Sequence, residues 1–145
     1  MFIDHRYEVL ERLGAGVWAN VYKVHDIRTD KIYTLKLFQY ISSEELYSRF
    51  SAEEMHRITK LEHPNLSRVV DFGHIGDHIY FTSEYFDGKP LSHFKFNKNR
   101  INLIYDIAIQ ISYALNALHT QNIIHKDLKL ENALFKMEGN SIVVK

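Results

Sequence analysis

The residues best equipped for chemistry stand together in one stretch, His125-Lys126-Asp127-Leu128-Lys129-Leu130-Glu131-Asn132. A carboxylate, two ammonium groups, an imidazole and an amide are interleaved there with apolar side chains. The stretch lies between Ile123-Ile124 and Ala133-Leu134-Phe135, two short runs that read as strands. Polar groups on a loop held between buried strands suit a site that must place charge accurately. A solvated surface loop has the same composition, so the stretch gains meaning only from partners elsewhere in the chain.

Two such partners are opposite charges set on apolar elements. Residues 32–38 read as a strand on which Thr34 and Lys36 share one face while Tyr33, Leu35 and Leu37 share the other. An ammonium there needs an anion or a route to water, unless it is an edge-strand lysine that discourages aggregation. Ser42-Ser43-Glu44-Glu45 has the form of a capping box. The helix it would start carries Leu46, Phe50, Ile58 and Leu61 at helical spacing. Glu54 falls inside that stripe, and Glu53 further from its centre. A carboxylate on a buried face must be paired or protonated, and pairing Glu54 with Lys36 would relieve both groups. A rotation of the helix by a residue or two would instead leave Glu54 exposed.

Upstream, residues 7–13 and 20–25 are strand-like and joined by Gly14-Ala15-Gly16-Val17-Trp18-Ala19. Glycines there let the backbone turn tightly and leave its N–H groups unscreened, which suits a phosphate-covering loop as well as a plain turn. A dinucleotide-binding fingerprint requires a helix straight after the glycines. Val21-Tyr22-Lys23-Val24 follows instead, with strand periodicity, and no Gly-Lys-Ser/Thr of a P-loop occurs. His63-Pro64-Asn65 ends the helix. Strands are expected near 66–72 and 79–85, with 73–78 as their hairpin turn. His74 and His78 read as turn histidines, since no third ligand is near them in sequence. Asp87-Gly88-Lys89-Pro90 is the strongest linker-like break. Residues 102–119 form the longest expected helix, with Ile104, Ile107, Ile111, Leu115 and Leu118 as its core stripe. Gly139-Asn140 then turns the chain into a strand at 142–144.

Composition sets the bounds. The 145 residues suffice for one domain and hold ordinary globular shares of hydrophobic (46%) and charged (25%) residues. Lys plus Arg and Asp plus Glu are 18 each, so no whole-chain field points to nucleic acid. With no cysteine there is no disulfide or thiolate metal site, as in a reducing cytosol, and a cytoplasmic location is expected. Met1-Phe2-Ile3-Asp4-His5-Arg6 lacks a signal peptide's apolar core, and no uninterrupted apolar run approaches the ~20 residues of a membrane span.

In order and spacing these features resemble a eukaryotic-type (Hanks-type) serine/threonine protein kinase domain. They are a glycine loop, a strand lysine, a helix glutamate, His-Pro-Asn, an extended segment into a linker, and the loop at 125–132. The resemblance runs from about Tyr7 to Lys145. It implies an α+β fold: a five-stranded antiparallel small lobe with one helix and a hinge (1–87), then the first, mostly helical part of the large lobe (88–145). In the family an Asp-Phe-Gly motif follows the loop corresponding to 125–132, and residues 133–145 do not carry it. The chain is therefore expected to be an incomplete domain, with a face of the long helix open to oligomerisation.

The resemblance also implies roles. Gly14 and Gly16 would lie over the phosphates of ATP, with Leu13 and Val21 roofing the adenine and Trp18 at the loop tip. Lys36 would bind the α- and β-phosphates, with Glu54 as its partner. Ser83 takes the gatekeeper position, and Glu84-Tyr85-Phe86 the hinge, whose backbone meets the adenine edge. Asp127 would be the base that accepts a protein hydroxyl's proton, Lys129 would steady the transferred phosphoryl group, and Asn132 would ligate Mg²⁺. His125 would be a core histidine. These types suit phosphoryl transfer, which is positioning and charge neutralisation with little covalent work.

Four positions depart from the family pattern: Ala19 for the third glycine, Thr34 for an alanine near the adenine, Lys126 for the arginine before the base, and Leu130 for a proline. Lys126 cannot make an arginine's bidentate capture of a phosphate. A non-catalytic pseudokinase or regulatory module is the alternative, and a small-molecule kinase on the same fold a third. The spacing of Asp127, Lys129 and Asn132 favours the protein kinase.

Overall fold

The computed structural model describes residues 1–16, 19–38 and 52–145, with the backbone alone for 52–55. The capping box at 42–45, Leu46, Phe50, Trp18 and the side chains of Glu53 and Glu54 lie outside the described residues. The strands are β1 (Phe2–Ile3), β2 (Tyr7–Ala15), β3 (Ala19–Asp26), β4 (Lys31–Phe38), β5 (Val69–Ile75), β6 (His78–Glu84), β7 (Lys89–Pro90), β8 (Leu134–Glu138) and β9 (Ser141–Val144). The helices are α1 (Ala52–Lys60) and α2 (Ile101–Thr120), with single 3-10 turns at Leu91–His93 and Lys98–Arg100. Two units result. The first is Met1–Lys60 with Arg68–Tyr85, the second Leu61–Ser67 with Phe86–Lys145.

The first unit is built on one antiparallel sheet of order β1-β2-β3-β4-β6-β5. All five expected strands are present, and the two-residue β1 extends the edge beyond Tyr7. The alternation read in β4 holds. Tyr33 and Leu35 are buried in a core with Ile3, Tyr7, Val24 and Tyr80, while Lys36 belongs to the opposite alternation. Polar groups lock the sheet's end. Arg6 donates from Nε and Nη2 to the two oxygens of fully buried Asp26, at 2.9 and 2.8 Å, and from Nη1 to Asp71. Arg6 holds the Asp26 carboxyl far below the usual carboxylate range, and burial pushes the Tyr7 phenol up to about 12.

The second unit packs α2 against the small sheet β7-β8-β9. Its core joins Leu91, Phe94, Ile107, Ala133, Ile142 and Val144, with Leu103, Ile104 and Ile111 packed against it. Of the stripe expected for α2, Ile104, Ile107 and Ile111 meet this core and Leu118 is buried further along, while Leu115 is half-buried; Leu103 and buried Ala114 are additions. The other side of the helix leaves Ile101, Tyr105, Ile109 and Tyr113 between 46% and 61% exposed, four apart along one line. By length and composition α2 with its leading turn (Lys98–Thr120) could cross a bilayer, yet Ile107, Ala114 and Leu118 are core residues.

Several local expectations are corrected. Ile123-Ile124 is not a strand: no neighbouring strand pairs with it, and only Ile123 is buried. The β5–β6 turn is Gly76-Asp77 alone, because Gly73, His74 and Ile75 continue to pair across to Tyr80, Ile79 and His78. β5 begins at Val69, since Leu66 N–H donates back to His63 O in a turn. Within the expected linker, Lys89-Pro90 forms a short strand against Leu134 and Phe135. Leu61 lies past the end of α1, stopped short of Pro64.

Candidate active site

In the first unit the strand register lines up three of the residues expected at a nucleotide. Gly14 faces Val21, Val21 faces Lys36, and Lys36 faces Phe81, across β2, β3, β4 and β6. Directly opposed residues share a face, so Val21 and Lys36 project together. The Lys36 ammonium also stands 5.3 Å from the centroid of the Phe38 ring, two residues along the same face. Leu13 is the extra residue of a bulge between the pairs Arg12–Tyr22 and Gly14–Val21, and it is exposed.

The two glycines differ in what they do. Gly16 N–H donates to Ala19 O at 2.9 Å, closing the β2–β3 hairpin, and a Cβ on Gly16 would crowd that oxygen at 3.3 Å. A Cβ on Gly14 would meet nothing within 4 Å. Glycine weakens a strand, so a Gly14 that packing does not demand marks a place where something else can approach the backbone. Glu84, at the end of β6, donates its N–H to Arg68 O at 3.0 Å. Glu54 lies on α1, with its carboxylate outside the described residues.

In the second unit the helix end sets the loop. Asn122 takes a left-handed backbone (φ 55°), its N–H donating to His119 O, and Ile123 N–H donates to Leu118 O at 3.0 Å. This pattern closes a helix and drops the next apolar residue into the core. Ile123 is indeed 3% exposed. The loop then makes a tight turn at Lys126 (φ 63°), with Asp127 N–H donating to His125 O at 2.9 Å. His125 is exposed and not the core histidine expected; the core anchor is Ile123, two residues earlier.

Asp127, Lys129 and Asn132 converge. Asn132 Nδ2 donates to Asp127 Oδ2 at 2.7 Å and to Asp127 O at 2.8 Å, while Lys129 Nζ stands 3.3 Å from Asp127 Oδ1. Asn132 N–H closes the turn on Lys129 O at 3.0 Å. Both carboxylate oxygens thus have donors, yet the Asp127 side chain keeps 56% of its surface exposed and reachable. With Nδ2 committed, Oδ1 is the Asn132 atom suited to a hard cation. Phe86 lies in this unit, its carbonyl accepting from Gly88 N–H at 2.9 Å and its ring 5.5 Å from the Lys136 ammonium.

Sequence reasoning missed a polar network that ties α2 to β9 and to Asn65 in the same unit. Gln110 Oε1 accepts from Asn65 Nδ2 (2.8 Å) and Val144 N–H (2.9 Å), while Gln110 Nε2 donates to Ile142 O (2.9 Å). Asn65 Nδ2 also donates to Val144 O. The signal was a lone amide beside the apolar stripe of α2, which must find partners when partly buried.

Comparisons with known proteins follow the same line. A family model described as protein kinase domain matches residues 7–145. The serine/threonine-protein kinase PrkC of Bacillus subtilis is 32% identical over 146 residues, covering 95% of this chain and 22% of PrkC. The serine/threonine-protein kinase pkn3 of Myxococcus xanthus is 30% identical, covering 95% of this chain and 26% of pkn3. A mutant PknI kinase domain from Mycobacterium tuberculosis superposes with a TM-score of 0.76 over 88% of this chain and 54% of its own, a likeness of fold at 23% identity. The chain thus spans well under half the length of these curated relatives.

Proposed function

Because the chain belongs to the protein kinase domain family, we propose that it serves ATP-dependent phosphorylation of serine or threonine hydroxyls in a protein substrate. The observation that carries this reading is the Asp127 carboxylate, held by Lys129 at one oxygen and by Asn132 at the other. In this role Asp127 accepts the proton of the attacking hydroxyl, and general-base assistance of this kind is worth ~10²–10⁴ in rate. Asn132 fixes the carboxylate's direction. The Lys129 ammonium is assigned as the counter-charge to the transferred phosphoryl group.

Lys36 is the residue assigned to the ATP phosphates, with Glu54 as its partner. Gly14 and Gly16 are assigned to the loop over the phosphates, Gly16 shaping it through its hairpin bond to Ala19 O, while Leu13, Val21, Glu84 and Phe86 are assigned to the base. Asn132 Oδ1 is a hard amide oxygen and fits Mg²⁺ as one ligand, the remainder being phosphate and water oxygens. Bound there, the cation would neutralise phosphate charge.

The test is transfer of labelled phosphate from ATP to protein by a polypeptide carrying this chain, alongside nucleotide binding. Asp127→Asn is expected to cut transfer by ~10²-fold or more while nucleotide affinity stays within about threefold. Lys36→Met is expected to weaken both. Full turnover in Asp127→Asn would remove the base assignment. Nucleotide binding without any transfer would favour the regulatory-module alternative.

A further inference from the structure

Acid and base balance over the whole chain but not along it. Residues 88–105 carry Lys89, Lys95, Lys98 and Arg100 and no aspartate or glutamate. The structure makes this run a displayed edge. Leu91 (0% exposed) and Phe94 (5%) anchor it in the core, and Phe94 packs edge-on against Phe135 at 5.3 Å. The four cations, His93 and Phe96 all face solvent. Among the described residues no carboxylate forms an ion pair with any of the four. Arg100 is steadied over the Phe94 ring at 5.5 Å, and Phe96 meets the same ring edge to face at 4.9 Å.

The run starts on the catalytic loop itself. Leu91 N–H donates to Ala133 O at 2.8 Å and Ser92 N–H to Leu130 O at 3.3 Å, one residue beyond Lys129. Four like charges held at an edge repel one another and raise the free energy of the free protein, a cost an anionic partner removes.

We infer that residues 89–100 are a docking surface for an acidic peptide stretch, with Phe96 as an apolar contact among the cations. This rests on the kinase reading and gives it a substrate class: hydroxyl-bearing segments flanked by aspartate or glutamate. The run leads away from the catalytic loop in extended and 3-10 backbone, which suits a peptide strand lying beside it. An anionic bilayer is the competing partner for the same cations.

The test uses the whole 145-residue chain without nucleotide. Labelled peptides with a central serine flanked by glutamates, by glutamines or by lysines are titrated and read by fluorescence anisotropy at low and high salt. The acidic peptide is expected to bind roughly tenfold or more tighter than the glutamine peptide, and to weaken with salt. Lys95→Glu/Lys98→Glu is expected to remove that preference. Lys95→Gln/Lys98→Gln, checked for an unchanged melting temperature, should reduce it in part. Equal affinity for acidic and glutamine peptides overturns the inference, as does indifference to both variants. Phosphatidylserine vesicles that bind more tightly than the acidic peptide, with loss in the same variants, overturn it in favour of lipid. Binding reads the surface apart from the chemistry. Acidic peptide that binds but is never phosphorylated counts against the kinase reading alone, while transfer to other substrates without acidic-peptide binding counts against the docking surface alone.

Discussion

Asp26 shows how much one side chain carries. It is fully buried, accepts two hydrogen bonds from Arg6, and also takes Arg28 N–H at 3.0 Å and Thr29 Oγ1 at 2.8 Å. Arg6 foremost, with these donors, outweighs burial and depresses its pKa. A depressed folded-state pKa means that the unfolded chain binds the proton more readily. Stability from Asp26 is therefore complete above its ordinary value of 3.8 and drains as the pH falls below it. Urea midpoints measured from pH 6 to 3 should fall more steeply for the parent than for Asp26→Asn. That variant should already have lost roughly 3 kcal/mol at neutral pH by leaving Arg6 short of a partner.

Gly73 is a second case. A Cβ there would stand 2.5 Å from the Tyr80 hydroxyl, which donates to Asp4. Gly73→Ala should cost about 1–3 kcal/mol in denaturant unfolding. Neither residue announces itself in sequence. Arg6 and Asp71 are 65 positions apart, and the crowding at Gly73 exists only in the register that sets it opposite Tyr80. Lys36 was legible because strand alternation alone puts it opposite a buried face.

At the scale of elements, sheets and helices were read well and their ends less so. Period-two alternation fixed β4, and the 3.6-residue stripe fixed α2 to within a residue at each end. The strand proposed at Ile123-Ile124 failed because apolar type cannot tell a strand from a helix cap's buried anchor. The cap is what aims the loop at 125–132. Asn122→Val, which disfavours the left-handed backbone, should lower stability by about 1 kcal/mol. Asn122→Gly should be neutral or better. Thermal melts of the two variants check this, and the pair separates backbone strain from loss of the amide. The short Asp127–Asn132 contacts were foreseeable only in part: spacing nominated both residues, but the amide's grip on carboxylate and carbonyl together depends on the turn between them.

At the scale of the molecule, each unit has its own core and the chain passes from one to the other at three places: after Lys60, after Ser67 and after Tyr85. The sequence suggested a single division near the Asp87-Gly88 break, because composition shifts there and nothing in residues 61–67 advertises a different allegiance. What enrols that segment is Asn65, held by Gln110 and by Val144 O. Gln110→Leu strips an acceptor from Asn65 and from Val144 N–H together. It should cost about 1–3 kcal/mol and speed hydrogen exchange at the Val144 amide, with the amides of β3 and β4 unaffected.

The double return of the chain has a consequence for anyone who cuts it. A protease nick between Tyr85 and Phe86 severs the last crossing, but the N-terminal piece still carries Leu61–Ser67, whose Asn65 side chain is hydrogen-bonded to Gln110 and Val144 of the other piece. The nicked protein should run as one species on a native gel and as two in detergent, a covalent break with no loss of company.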